Sequence, residues 1–213
     1  MAPLSASRES RMTAPDGRRR LLLRRLWETI ALAGVGSGVP AAVRAQDGPP
    51  EVDEAAAALE RSVKAAFVFK FAGFVEWPEQ AMPRPETPIR IGVMGEESIV
   101  REIAAAARSR TVEGRRVLVK RIEPGDTLEG VHILFMRDPA FRRLAEEIAG
   151  LEPEPMLIVT ESPGALALGS IINFAVDEGR VRFDLSLEAA ERRGLRLSSR
   201  LITVARQVLG KPR

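Results

Sequence analysis

A single histidine and no cysteine stand among 213 residues, so the side chains that most often do nucleophilic, redox or metal chemistry are nearly absent. No cluster of Asp or Glu shows metal-ligand spacing, and metal catalysis through nitrogen or sulfur ligands is close to excluded. His132 lies inside the apolar run Val131–Met136 (VHILFM), where a hydrogen-bonded core histidine is expected rather than a catalytic base. A Ser-His-Asp relay would have to be assembled around that residue, and no G-x-S-x-G elbow supplies its nucleophile. Ser162-Pro163-Gly164 reads as a turn. Gly92 and Gly95 are isolated, and with neither G-x-G-x-x-G nor a Walker sequence no phosphate cradle is indicated. Neither an enzyme activity nor a cofactor is expected.

The polar residues that ask for a reason lie toward the end of the chain. Ser170–Val176 (SIINFAV) and Arg180–Leu185 (RVRFDL) are joined by Asp177-Glu178-Gly179, which predicts an antiparallel hairpin. Alternation with period two puts Val181, Phe183 and Leu185 on one face and Arg180, Arg182 and Asp184 on the other. Asn173 is placed with that second face, and Glu161 follows the strand before it. Glu161, Asn173, Arg182 and Asp184 form a candidate ligand-binding set; the competing reading is a solvated or mutually paired face. Phe69, Phe74 and Trp77 are surplus to one helix face and are candidate partner-binding anchors, with core burial as the alternative.

These residues need elements to hold them. A helix pattern spans Asp53–Trp77, with Asp53 as cap, Leu59, Val63, Phe67, Phe71 and Phe74 in one stripe, and Pro78 as the stop. Four apolar strands follow at Ile89–Met94, Arg116–Ile122, Val131–Met136 and Met156–Thr160, with helices at Ile99–Ala107 and Pro139–Ala149 between them. After the hairpin, Leu187–Arg193 and Ser198–Leu209 read as helices, with Gly194 and Gly210 as C-terminal caps. Strands that alternate with helices, each strand a continuous apolar run, predict an α/β fold. The expectation is a single three-layer domain, a mainly parallel sheet flanked by helices, with a C-terminal antiparallel hairpin.

Charge is uneven along the chain. Residues 1–45 hold eight of the 32 basic residues and three of the 29 acidic ones, which leaves 24 basic against 26 acidic residues in the remainder. The pI near 9.9 therefore belongs to the front segment, and no nucleic-acid partner is expected. That segment runs from a basic stretch through a weakly apolar one, Ile30–Val39, to small residues at Val43-Arg44-Ala45, the pattern of an export signal. Cleavage is expected after Ala45, with residues 46–58 as linker and helix start and 59–210 as the domain. Arg19-Arg20-Leu21-Leu22-Leu23-Arg24 approximates a twin-arginine motif, and the Sec or twin-arginine route stays open.

Val63-Lys64-Ala65-Ala66-Phe67-Val68-Phe69-Lys70-Phe71, followed by Phe74-Val75-Glu76-Trp77-Pro78, resembles the first helix of the YfiR/HmsC-like family of bacterial periplasmic proteins. Later segments keep that family's order: IRIGVMG at 89–95, VEGRRV at 112–117, VHILF at 131–135, LIVT at 157–160, GSIINF at 169–174, RVRFDL at 180–185 and GLRLSSRL at 194–201. The resemblance covers about residues 60–209. It implies a periplasmic regulator without chemistry of its own, a homodimer that holds an inner-membrane diguanylate cyclase inactive by binding its periplasmic part. Release, promoted by an outer-membrane partner such as an OmpA-like lipoprotein or by envelope stress, would raise cyclic di-GMP and favour biofilm. The sequence lacks the cysteines that often form disulfides in that family, so redox control is not carried over. The alternative is a periplasmic small-molecule sensing module serving another membrane receptor.

Overall fold

The computed structural model describes residues 50–150 and 154–210. The export leader, the cleavage after Ala45 and residues 46–49 of the linker lie outside the described residues. Among the described residues five α-helices, α1 (Pro50–Phe71), α2 (Glu97–Ala107), α3 (Ala140–Gly150), α4 (Leu187–Arg192) and α5 (Ser199–Val204), accompany ten strands. The strands are β1 (Val75–Glu76), β2 (Ile89–Met94), β3 (Thr111–Val112), β4 (Arg115–Arg121), β5 (Ile133–Arg137), β6 (Leu157–Glu161), β7 (Ile172–Asp177), β8 (Arg180–Ser186), β9 (Arg196–Leu197) and β10 (Gln207–Leu209). Eight form one sheet in the order β10-β8-β7-β6-β5-β2-β4-β3, while β1 and β9 make a separate two-stranded ribbon. Within the eight-stranded sheet pairing is parallel except at the β7–β8 and β3–β4 hairpins, and the ribbon is antiparallel.

Continuous apolar runs are explained by burial on both faces. Ile91, Val93, Ile133, Phe135, Leu157 and Val159 point into a core shared with α1 and α2. Met94, Leu134, Met136 and Ile158 point the other way, into a core shared with α3. The chain thus has the expected three layers, with α4 and α5 adding Ala189, Ala190 and Leu201 to the first core. Gly92 is glycine because the α3 face comes too close for a side chain there. A Cβ would sit 2.9 Å from Ile122 and 3.2 Å from Val131. The β7–β8 hairpin turns on Glu178 and Gly179 alone, at φ 49° and 71°, and Asp177 pairs with Arg180. Two consecutive residues of positive φ match the twist of the strands.

Three expectations are corrected. The first helix begins at Pro50, three residues before Asp53, and ends at Phe71 rather than Trp77; Val75 and Glu76 leave it to pair with Leu197 and Arg196. The stripe Leu59-Val63-Phe67-Phe71 does not stay on one face. At 3.6 residues per turn a spacing of four drifts by about 40° each step, so Phe71 is buried while Leu59 is 67% exposed. The buried face of the helix runs through Ala65, Val68, Phe69 and Phe71 and continues into Ala72 just beyond it. Last, the helix expected over Ser198–Leu209 stops at Val204, and 207–209 becomes β10, parallel to β8. The open edge of β8 captures this segment, and the Arg206 N–H donates to the Phe183 carbonyl at 2.8 Å. Gly210 therefore follows a strand and caps no helix. Gly194, at φ 65°, does stop α4, with its N–H on the Glu191 carbonyl and that of Leu195 on the Ala190 carbonyl.

Candidate functional site

His132, just before β5, is built into the fold as a structural group. Its Nδ1 accepts the Arg90 backbone N–H at 3.1 Å, and its Nε2 lies 3.0 Å from the Ala81 carbonyl. One nitrogen accepting and the other donating defines a neutral ring. Burial holds its pKa below the usual 6.5, assisted by the nearby charges of Arg90 and Arg115 and opposed by the bond to Ala81. Both nitrogens are committed, which leaves none to take a proton from a substrate. Trp77 packs edge-on against this ring at 5.6 Å and donates its indole N–H to the Ala72 carbonyl at 3.3 Å.

The other two aromatics differ from each other. Phe69 is buried, 5% exposed, with the Arg110 guanidinium 4.3 Å over its ring. Phe74 and Trp77 are half-buried, packed against the first core with an edge left open. Phe74 also accepts the Ser198 N–H at its carbonyl, 2.9 Å away, beside the β1–β9 ribbon. That ribbon borders a groove of about 840 Å³ between α4 and α5. Glu76, Leu187, Leu195, Arg196, Leu197 and Ile202 are among its lining. An apolar floor with a charged rim is the composition of a docking surface. Sequence reasoning did not assign this groove; GLRLSSRL was the only signal for it, and its β9 partner strand is too short to announce itself by periodicity.

The four candidate polar residues do not converge. Glu161 faces α1, where it accepts from the buried Lys64 ammonium at 2.6 Å and pairs with Arg137 at 3.3 Å. Lys64 also holds Glu60, and Arg137 holds Glu96 at 3.2 Å. This chain of charges ties α1, β5, β6 and the start of α2 together. Asn173, Arg182 and Asp184 share the opposite face of the sheet, as the alternation predicts. There, however, the Asn173 carbonyl oxygen already accepts from the Thr160 hydroxyl at 2.7 Å and the Ser162 N–H at 3.0 Å. Asp184, 6% exposed, accepts two bonds from Arg206, at 2.8 and 2.5 Å. Arg182 alone of the set is exposed. The partner of Asp184 was not found in the sequence because Arg206 was placed inside a helix.

No group of three or more His, Asp or Glu among the described residues could hold a metal ion, and none of their helices is long and apolar enough to cross a membrane. Against curated proteins, no sequence matches the chain. The profile of the YfiR/HmsC-like family matches residues 61–206, a span that begins three residues before Lys64 and ends at the Arg206 that holds Asp184. The second half of helix α1, strands β2 to β8 and the β1–β9 ribbon all fall within it, and the chain belongs to the YfiR/HmsC-like family.

Proposed function

We propose that this chain is a periplasmic regulator that binds and represses an inner-membrane diguanylate cyclase, with no catalytic chemistry of its own. Family membership carries the general reading, periplasmic regulation of cyclic di-GMP signalling through a membrane-associated partner. The cyclase as partner, biofilm as the output, the homodimer and control by an outer-membrane OmpA-like lipoprotein are the finer parts of the same proposal. The observation that favours docking over a small ligand is a contrast between two places. The groove beside the β1–β9 ribbon is open and mixed in character, while Asn173 and Asp184 spend their bonds within the chain.

Deleting the gene and measuring cellular cyclic di-GMP against a complemented strain tests this directly. The level rises on deletion and returns to baseline when the gene is restored. An unchanged level in the deletion strain sinks the repressor reading and moves the weight to a sensor serving another receptor.

A further inference from the structure

The far side of the sheet from β10 ends in a strand that is only partly covered. β3 pairs with Arg115 and Arg116 of β4 and no further, and no other strand among the described residues lies outside β4. The Ile122 N–H donates inward to the Val93 carbonyl of β2 at 3.0 Å. Alternation along a parallel ladder then turns the backbone groups of Val117, Val119 and Arg121 outward. Three consecutive outward rungs are thus available for pairing.

A groove of about 530 Å³ runs beside this edge, lined by the end of α2 and by Val117, Leu118 and Val119. Leu118 is exposed. Arg108 and Arg116 flank the groove, and neither side chain makes an ion pair or hydrogen bond among the described residues. We propose that the β4 edge is a strand-addition site for an extended segment of another protein that alternates acidic and apolar residues. Backbone rungs supply the pairing, the valines and Leu118 the apolar contacts, and the two arginines the choice of charge.

A second copy of this chain is the poorer occupant. Antiparallel pairing of β4 with itself about its centre, Leu118, sets Val117 against Val119, Arg116 against Lys120 and Arg115 against Arg121, and like charges directly opposite destabilise a ladder. Arginine on an edge is a known guard against self-pairing. That guard rejects a basic strand and attracts an acidic one, so it selects its partner by sign. None of this depends on which membrane protein the chain regulates.

The test uses two capped hexapeptides, one alternating Glu and Val, the other alternating Lys and Val, titrated into the purified chain while amide exchange is followed by NMR. The Glu-Val peptide is expected to protect the amides of Val117, Val119 and Arg121, and the double variant Arg108→Glu with Arg116→Glu to weaken it at least about tenfold. Both substitutions are on the surface, and an unchanged Tm shows that the fold is intact. Equal binding of the Lys-Val peptide, or binding without protection of those three amides, overturns the proposal. Protection that grows with protein concentration in the absence of peptide also overturns it, in favour of a second copy.

Discussion

His132 shows how the environment of a residue decides what its type can do. An imidazole is the usual carrier of acid-base chemistry near neutral pH, yet here the Arg90 N–H and the Ala81 carbonyl use both nitrogens. The sequence context, a lone His in an apolar strand, was enough to expect this. The partners were not legible, because they lie 42 and 51 residues away. A pH dependence follows from the lowered pKa. Once the pH falls below the unfolded value of about 6.5, the unfolded chain takes up a proton that the folded chain refuses, and stability falls with pH. Calorimetric Tm values between about pH 7.5 and 5.5, above the range where ordinary carboxylates titrate, should decline less steeply in His132→Gln than in the parent. Equal slopes would remove His132 as the cause. Asp184 teaches the converse: strand alternation placed its backbone correctly, but its charge partner Arg206 came from a segment that the sequence pattern reads as helix and the fold ends in a strand.

At the scale of elements, strands were more legible than the ends of helices. β2, β5 and β6 lie within a residue or two of the apolar runs that predict them, since a strand buried on both faces needs an unbroken run. The first helix was recognisable by its formers, but its face was not. The choice between Leu59 and Ala65 depends on what packs against α1, and that is α2 and β8, distant in sequence. Phe71 marks the correct face. It stacks on Phe67 and Phe174 at 5.9 and 5.8 Å and meets Phe183 edge-on at 5.2 Å. Truncating it opens a cavity in a cluster that joins α1 to the β7–β8 hairpin. Phe71→Ala should cost about 3–5 kcal/mol, a fall in Tm on the order of 10 °C. Leu59→Ala, at the exposed start of the same stripe, should change stability by less than about 0.5 kcal/mol. Chemical denaturation of the two variants distinguishes the two faces, and a large effect at Leu59 would contradict the assignment.

At the scale of the molecule, two surfaces among the described residues stand apart from the core and the ion pairs: the groove at the β1–β9 ribbon and the β4 edge. They share no lining residue, and each draws on a different kind of recognition. The first offers apolar side chains within a rim of charge, the second unpaired backbone and two unneutralised arginines. Substitutions at sites without shared partners act independently, so the two surfaces are separable by mutation. Arg196, exposed on β9 and lining the first groove, is the residue to change, because arginine is a frequent anchor at interfaces and its reversal introduces repulsion without touching the core. In a complemented strain, Arg196→Glu is expected to leave cyclic di-GMP near the level of the deletion. Glu76 stands opposite Arg196 on β1, and two like charges there cost at most about 1 kcal/mol, so the variant's Tm should fall by no more than about 4 °C, and its affinity for the Glu-Val hexapeptide should stay within about twofold. Full repression by this variant would remove the ribbon groove as the docking surface while leaving the β4 edge untouched. Loss of both repression and peptide binding would mean that the two regions are coupled through the sheet between them.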